Sequence, residues 1–437
     1  MAKNICVIGI GYVGLTSAVG LADFGNNVIG IDIDENKIQK LQNRNLIIYE
    51  PGLKELLERN ISAGRLIFTT NLKDSVEKSD VIFVAVGTPE NGNGDGNVDL
   101  QYVEKAISDV MQYSNGYKVL VVKSTVPVGN NRKTYERIKR ANLQIDVVSN
   151  PEFLREGKAV YDFFHPDRVV IGTNSEKAKE IMYDIYKTLN RINVPFLWTD
   201  WESAELIKYA SNGFLAMKVA YINQLACLAE EIGADIRSIA KGMGMDKRIG
   251  HQFLHAGPGF GGSCFPKDTK ALSAISHQYH APITIIDAVI DANRHQIERI
   301  SQKLKMRLKE LSNKTIGVLG LAFKAETDDI RESPSLYIIF DLLKEGSLIK
   351  VHDPQAMDNC KKKLGSRVMY CSNEYEASRG ADALLILTEW NEYRSLDLLR
   401  IKSLMNNPYI FDTRNVLDKS ELVEIGFKFD LIGQKTE

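Results

Sequence analysis

Residues 9–14 read GIGYVG, a G-x-G-x-x-G run between an apolar stretch, NICVI, and a helix-forming one, LTSAVGLADF. Glycines at this spacing permit a tight strand-to-helix turn whose backbone can approach a pyrophosphate at the helix N-terminus. The next apolar run, NVIGI, leads to Asp32. A carboxylate there would accept from adenosine ribose hydroxyls and repel a 2′-phosphate. The context predicts a dinucleotide site for NAD rather than NADP, built on Gly9, Gly11, Tyr12, Val13, Gly14 and Asp32. Lys37, on the following helix, belongs either to this cofactor group or to a solvated face.

The later runs DVIFVAVGTP, KVLVVKS and IDVVSN are apolar without alternation. Such runs suit parallel strands buried on both faces, and helical stretches between them make a doubly wound sheet. After residue 313 the pattern returns. KTIGVLGLAFK echoes the first strand and glycine turn, IKVHDP echoes VIGIDID, and ADALLILTEW echoes SDVIFVAVGTP. Between the two halves, residues 199–233 read as one long helix, with Thr199 and Glu202 as a capping box, Gly233 as its stop and Gly213 as its weak point.

The expected fold is therefore α/β, with two Rossmann-like doubly wound domains joined by a long central helix. The boundaries fall at 1–198 for NAD binding, 199–300 for a central helical and dimerisation region, and 301–437 for a second nucleotide-sized ligand.

Composition narrows the partners. Fifty-five Lys and Arg against 56 Asp and Glu give a net charge of −1, which offers no reason to expect nucleic acid or an anionic membrane. No apolar run approaches a bilayer span. Five scattered cysteines, an odd number, form neither a disulfide framework nor a zinc spacing, and the seven histidines show no metal spacing. No metal is expected, and a reducing cytoplasm is the economical location. The start, MAKNICVIGIGYVG, shows no cleavable signal pattern.

Chemistry-bearing residues gather in three places. GPGFGGSCFPKD, residues 257–268, crowds glycines and prolines around Cys264, with Asp268 four residues on. A helix opening at Pro266 would put the cysteine at its positive end and favour the thiolate. Lys208 and Asn212 share one face of the long helix, and a lysine in LIKYASNGF is costly to bury without a partner or a task. Glu152 and Glu156 recur at the same spacing in NPEFLREG. Each has a plainer alternative: a packed small cysteine, a lysine with its head in solvent, a solvated acidic face. In the polar loop GTPENGNGDGNVD, Gly87, Thr88 and Pro89 are expected against the cofactor, with Ser124 and Thr125 after the next strand. The rest of that loop is a lid or a surface loop.

GIGYVG, GTP, STVPVG, NPEFLREG, DRVVIG, ELIKYASN, KRIG, GPGFGGSCFPKD, GLAFK, DIRESPS and FDTRNVLD occur in this order from residue 9 to residue 418. Together they make the chain resemble the UDP-glucose/GDP-mannose dehydrogenase family over essentially its whole length. The resemblance implies a four-electron oxidation of a sugar C6 alcohol to a carboxylate with two NAD+, through a thiohemiacetal and a thioester on the cysteine. It assigns the nucleophile to Cys264. It gives oxyanion stabilisation to Lys208 and Asn212, orientation of Lys208 and a water to Asp268 with Thr125, and proton transfer to Glu152 or Glu156.

The UDP-sugar would meet Glu152, Phe153, Leu154, Lys208, Asn212, Phe253, Gly257, Phe260, Gly261 and Phe265 around the sugar and ribose. Lys324 and Arg414 would meet the diphosphate and uridine, and Arg248 would reach a neighbouring subunit's site. Glu156, Lys267 and Arg331 would join the cofactor. The family's dimers imply a homodimer or higher homo-oligomer. HPDRVVIG and FPKD favour UDP-glucose over GDP-mannose or UDP-N-acetylhexosamines. A two-electron hydroxyacid dehydrogenase and a silent NAD-linked scaffold are the competing functions; neither needs this cysteine.

Overall fold

The computed structural model describes residues 2–94 and 96–435. By internal contacts the chain divides into two units, Met1–Ser211 and Asn212–Glu437.

The first unit holds β1 (Asn4–Ile8), β2 (Asn27–Ile31), β3 (Leu66–Thr69), β4 (Val81–Val84), β5 (Lys118–Val122), β6 (Ile145–Ser149), β7 (Val169–Gly172) and β8 (Phe196–Thr199). Their order in the sheet is β3-β2-β1-β4-β5-β6-β7-β8. The first six are parallel, in the order of a dinucleotide-binding sheet. β7 joins β6 antiparallel and carries β8 parallel to itself, an extension the apolar runs did not announce. Each central strand is buried on both faces. Ile5 and Val7 enter one core while Cys6 and Ile8 enter the other, and Val119 and Val121 part from Leu120 and Val122 in the same way. Two-sided burial is why these strands read as unbroken apolar runs.

The second unit repeats the plan with β9 (Thr315–Leu319), β10 (Leu348–His352), β11 (Met369–Tyr370), β12 (Ala383–Ile386), β13 (Tyr409–Asp412) and β14 (Lys428–Leu431). The order is β11-β10-β9-β12-β13-β14, all parallel. The echo extends to single hydrogen bonds. Gly9 N donates to Ile31 O and Ile10 N to Asp32. Gly320 N donates to His352 O, and Leu321 N and Ala322 N to Asp353.

The long helix is continuous from Trp201 to Ile232, and the division into units falls within it. Its stop is as expected, with Gly233 at φ +79. Its start is not. Thr199 ends β8, and Asp200 makes the cap, accepting from Ser203 N at 2.7 Å. Glu202 instead pairs with Arg132. Gly213 does not interrupt the helix. A Cβ there would stand 3.0 Å from Ile286 and 3.1 Å from Leu272, so the glycine admits the two helices Phe265–Gln278 and Thr284–Leu308 to close contact.

Candidate active site

In the first unit, the three glycines of the turn divide the work. Gly9 sits at φ +91, where a side chain would be strained and would meet Val86. A Cβ on Gly14 would lie 1.8 Å from the Gly9 carbonyl oxygen, so helix and strand can only pack this closely without one. Gly11 has nothing within 4 Å of its Cβ position and caps the Tyr12–Asp23 helix, which leaves open space at a helix N-terminus. That cradle fits a dinucleotide pyrophosphate. Asp32, after β2, keeps a tenth of its side chain exposed, and Lys37 lies 3.5 Å from it.

Its counterpart Asp353 differs. Only 2% exposed, it accepts from the backbone at Leu321, Ala322, Gln355 and Ala356 and from the Trp390 indole. Its oxygens are spent on the fold.

Beyond β4, Ser124 donates to Val86 O at 2.7 Å, fixing the backbone that leads to Gly87, buried Thr88 and Pro89. Thr125 is half-buried. The loop that follows is tied by Asn91 N to Asn97 O and by Asp99 N to Pro89 O; Asp95 lies outside the described residues.

Lys208 is buried and donates to Glu152 at 2.9 Å. Leu154 N donates to the other Glu152 oxygen at 2.6 Å. Burial raises the Glu152 pKa. Lys208, the Leu154 amide and the charge of Lys123 outweigh it and leave the carboxyl below its usual range. Phe153 carries Arg168 over its ring at 3.5 Å and the Lys208 ammonium at 5.4 Å. Glu156 is half-buried one residue before Gly157.

In the second unit, Cys264 is the N-cap residue of the Phe265–Gln278 helix, which therefore begins one residue before Pro266. Asp268 N donates to Cys264 O at 2.8 Å. The Asp268 carboxylate, 1% exposed, accepts from Asn212 at 2.6 Å and from Lys267 at 2.5 Å. Cys264 is half-buried, its sulfur 3.5 Å from the Ser263 hydroxyl.

The glycines before the cysteine answer largely to packing. A Cβ on Gly261 would meet Glu332 O at 2.2 Å, and one on Gly262 the Phe323 ring at 2.8 Å. Phe260 packs with Ala216, Ala220 and Val289, and Asn293 holds both its N–H and its carbonyl. Packing of the turn against neighbouring segments dictates most of its glycines.

Gly257 is the one that borders a cation, with its Cβ position 3.2 Å from the Arg414 guanidinium. Arg414 is aimed by Leu387 O, Phe323 O and Glu389. Lys324 lies 5.6 Å over Phe323, while Phe253 and Phe260 flank Phe265 at 5.9 and 6.1 Å. Arg331 pairs with Asp329, and exposed Arg248 with Asp246.

The chain matches, over residues 3–190, the NAD binding domain of the UDP-glucose/GDP-mannose dehydrogenase family. Residues 202–295 match its central domain and 317–419 its UDP binding domain. It is 44% identical to the UDP-glucose 6-dehydrogenase of Rhizobium meliloti over 99% of both chains. The chain belongs to the UDP-glucose/GDP-mannose dehydrogenase family.

The UDP-glucose 6-dehydrogenase TuaD of Bacillus subtilis is also 44% identical, over 99% of this chain and 93% of that one. Among solved structures, a UDP-glucose dehydrogenase from Pyrobaculum islandicum superposes with a TM-score of 0.92 at 37% identity, covering 100% of this chain and 98% of that one. A UDP-D-ManNAc dehydrogenase from Pyrococcus horikoshii gives 0.87 at 26%, covering 98% and 99%.

Three buried charged residues of the first unit escaped sequence reasoning. Lys123 is 6% exposed and donates to Asn150 at 3.2 Å. Burial lowers its pKa to about 8, with Glu152 raising and Lys208 lowering it. A lysine closing the apolar run VLVV was the available signal. Glu205, one turn before Lys208, accepts from Gly129 N, Asn131 N and the Asn131 amide. Burial pushes it up to about 7 against those three donors. Glu50 is 4% exposed in a loop that carried no motif.

Proposed function

We propose that the chain oxidises the C6 alcohol of UDP-glucose to the carboxylate of UDP-glucuronate, consuming two NAD+ and one water and releasing two NADH and three protons. The observation that carries this reading is full-length identity of 44% to relatives named UDP-glucose 6-dehydrogenase. NAD, when bound, accepts hydride from the sugar carbon. Gly9, Gly11, Tyr12, Val13, Gly14 and Asp32 would hold it, with Gly87–Pro89 and Ser124 beside them; the open space at Gly11 supports this. Segments 1–198, 199–300 and 301–437 serve as NAD-binding, central and UDP-binding parts.

Cys264 is the nucleophile in this proposal. Its thiolate adds to the C6 aldehyde to give a thiohemiacetal, so the first product does not escape. Loss of a second hydride leaves a thioester, and water cleaves the C–S bond to release the acid and return the thiol. Lys208, aimed by Glu152, and Asn212, fixed by Asp268, stabilise the oxyanions. Glu152 is ionised at neutral pH and suits proton acceptance; Glu156 is the second candidate for proton transfer. Asp268 with Thr125 positions the hydrolytic water. Arg414 and Lys324 bind the nucleotide diphosphate end, Phe153, Leu154, Phe253, Gly257, Phe260, Gly261 and Phe265 enclose the sugar and ribose, and Arg248 serves a neighbouring subunit's site. Lys267 and Arg331 contribute to the cofactor's surroundings.

We also assign a homodimer or higher homo-oligomer and a cytoplasmic location. Phe214, Tyr221 and Leu228, seven residues apart on the long helix, are exposed on one face, as an interface would require. Among the described residues no helix is long and apolar enough to cross a membrane, and none of the five cysteines is in a disulfide.

A stoichiometric assay tests the reaction. UDP-glucose with excess NAD+ should yield two NADH per sugar and a carboxylate, and Cys264→Ala should bind both nucleotides without net turnover. One NADH with a free carbonyl product would overturn the mechanism. Turnover only on UDP-N-acetylmannosamine or GDP-mannose would overturn the substrate assignment.

A further inference from the structure

We propose that Glu50 is a positioning residue for the carboxylates of the candidate site, an inference that rests on the dehydrogenase reading above. Its carboxylate joins two segments far apart in sequence. One oxygen accepts from the Tyr12 hydroxyl and from Gly157 N, the latter at 2.8 Å. The other accepts from Val160 N at 3.4 Å. The Tyr12 hydroxyl itself accepts from Gly157 N at 2.8 Å, closing a three-membered cluster.

Tyr12 is the first residue of the helix whose N-terminus faces the open space at Gly11. Gly157 directly follows Glu156 and ends the segment that begins at Asn150 and carries Glu152. One buried carboxylate therefore fixes the cofactor turn and the acid-bearing segment to each other. Gly157 stands at φ +78, a conformation in which its N–H is presented to Glu50 with no side chain to strain.

A packing role alone would not demand this chemistry. Tyr12 Oη and the Gly157 and Val160 amides donate to Glu50, and each belongs to or borders a segment with a proposed catalytic task. Hydride transfer depends on register between cofactor and proton acceptor, and a displacement near 1 Å costs about a hundredfold in rate. Glu50 acts on that register through Tyr12 and Gly157 without meeting the reacting atoms.

The test uses Glu50→Gln, which keeps shape but turns one acceptor into a donor facing an N–H or O–H. Tyr12→Phe, which removes the bridging hydroxyl, is the second variant. Amide exchange at Gly157 and Val160 should be read by mass spectrometry or NMR in the full chain. Solvent reaches both through a cavity of about 1020 Å³ that Glu50, Gly157 and Val160 help line.

The expected result is at least tenfold faster exchange at both amides, with kcat lowered about tenfold or more and KM for the UDP-sugar within threefold of wild type. Thermal unfolding should still be cooperative. Tyr12→Phe should move both readouts the same way and decides the matter if Glu50→Gln does not fold. Faster exchange with wild-type kcat would show a purely structural contact and overturn the proposal, as would unchanged exchange. If the wild type fails to oxidise UDP-glucose, the functional reading falls. NAD+ affinity and amide exchange then still report on Glu50, and wild-type values of both would overturn its role as well.

Discussion

At the scale of single residues, the first unit concentrates buried charge. Lys123, Glu152 and Lys208 give two cations to one carboxylate, each less than a tenth exposed. Lys208 has Glu152 at 2.9 Å, whereas Lys123 has the neutral Asn150 at 3.2 Å. That difference leaves the Lys123 amine as the costly member, with burial lowering it to about 8. In the unfolded chain a lysine holds its proton to about 10.4. Between these values the unfolded chain binds more protons, so stability rises with pH. Below pH 8 both states are protonated and the cost of burying the cation is present in full.

Lys123→Met should therefore change stability relative to wild type in a pH-dependent way. Any advantage at pH 7.5 should shrink by roughly 1–3 kcal/mol by pH 10. Denaturant unfolding at the two pH values measures this, and a constant difference would mean the folded amine holds its proton as the unfolded one does. Glu152 gives the same sign of pH dependence in a more acidic range, from a favourable charge rather than a costly one. Its depressed pKa contributes stability above the ordinary carboxylate range that is lost only as the pH falls through its folded value.

At the scale of elements, the glycine turn makes separable claims. Gly11 is in an ordinary extended conformation with open space around its Cβ position, whereas Gly14 is against the Gly9 carbonyl. Gly11→Ala should leave the melting temperature nearly unchanged and weaken NAD+ binding about tenfold or more by calorimetric titration. Gly14→Ala should destabilise the unit by at least 1–3 kcal/mol, since a methyl must displace backbone. Equal effects on stability would contradict this division of roles.

Much of this turn was legible beforehand because its glycines answer to local geometry. The glycine run before Cys264 was less so. Gly261 and Gly262 are set by Glu332 and Phe323, residues about seventy and sixty positions away, and no local pattern reveals such neighbours. The helix cap was misread for a related reason. Thr199 has the right chemistry, but pairing of β8 with β7 extends the strand to Thr199 and passes the cap to Asp200.

At the scale of the molecule, the two sheets share one strand order yet differ in what their second-strand aspartate can do. Asp32 retains exposure, whereas Asp353 is consumed by four backbone donors and Trp390. Duplicated architecture thus fits different ligands at its two ends, in keeping with the NAD and UDP binding domains that the chain matches. The proposed interface would use Phe214, Tyr221 and Leu228, exposed on the long helix. Sedimentation of Tyr221→Glu/Leu228→Glu should give the monomer mass while the wild type gives a dimer or larger. A monomeric wild type at micromolar concentration would refute the assignment.

By itself, the sequence determined the alternation of strands and helices, the doubled Rossmann plan and the residue types available for catalysis. These depend on periodicity and on short-range stereochemistry. Only the tertiary structure decided which buried charges meet. The pairing of Lys208 with Glu152, of Asn212 with Asp268, and of Glu50 with Tyr12 and Gly157 spans separations of 38 to 107 residues. Burial strengthens those contacts because the low-dielectric interior penalises any polar group left alone. Which partner each one finds is set by where the sheets bring distant loops together.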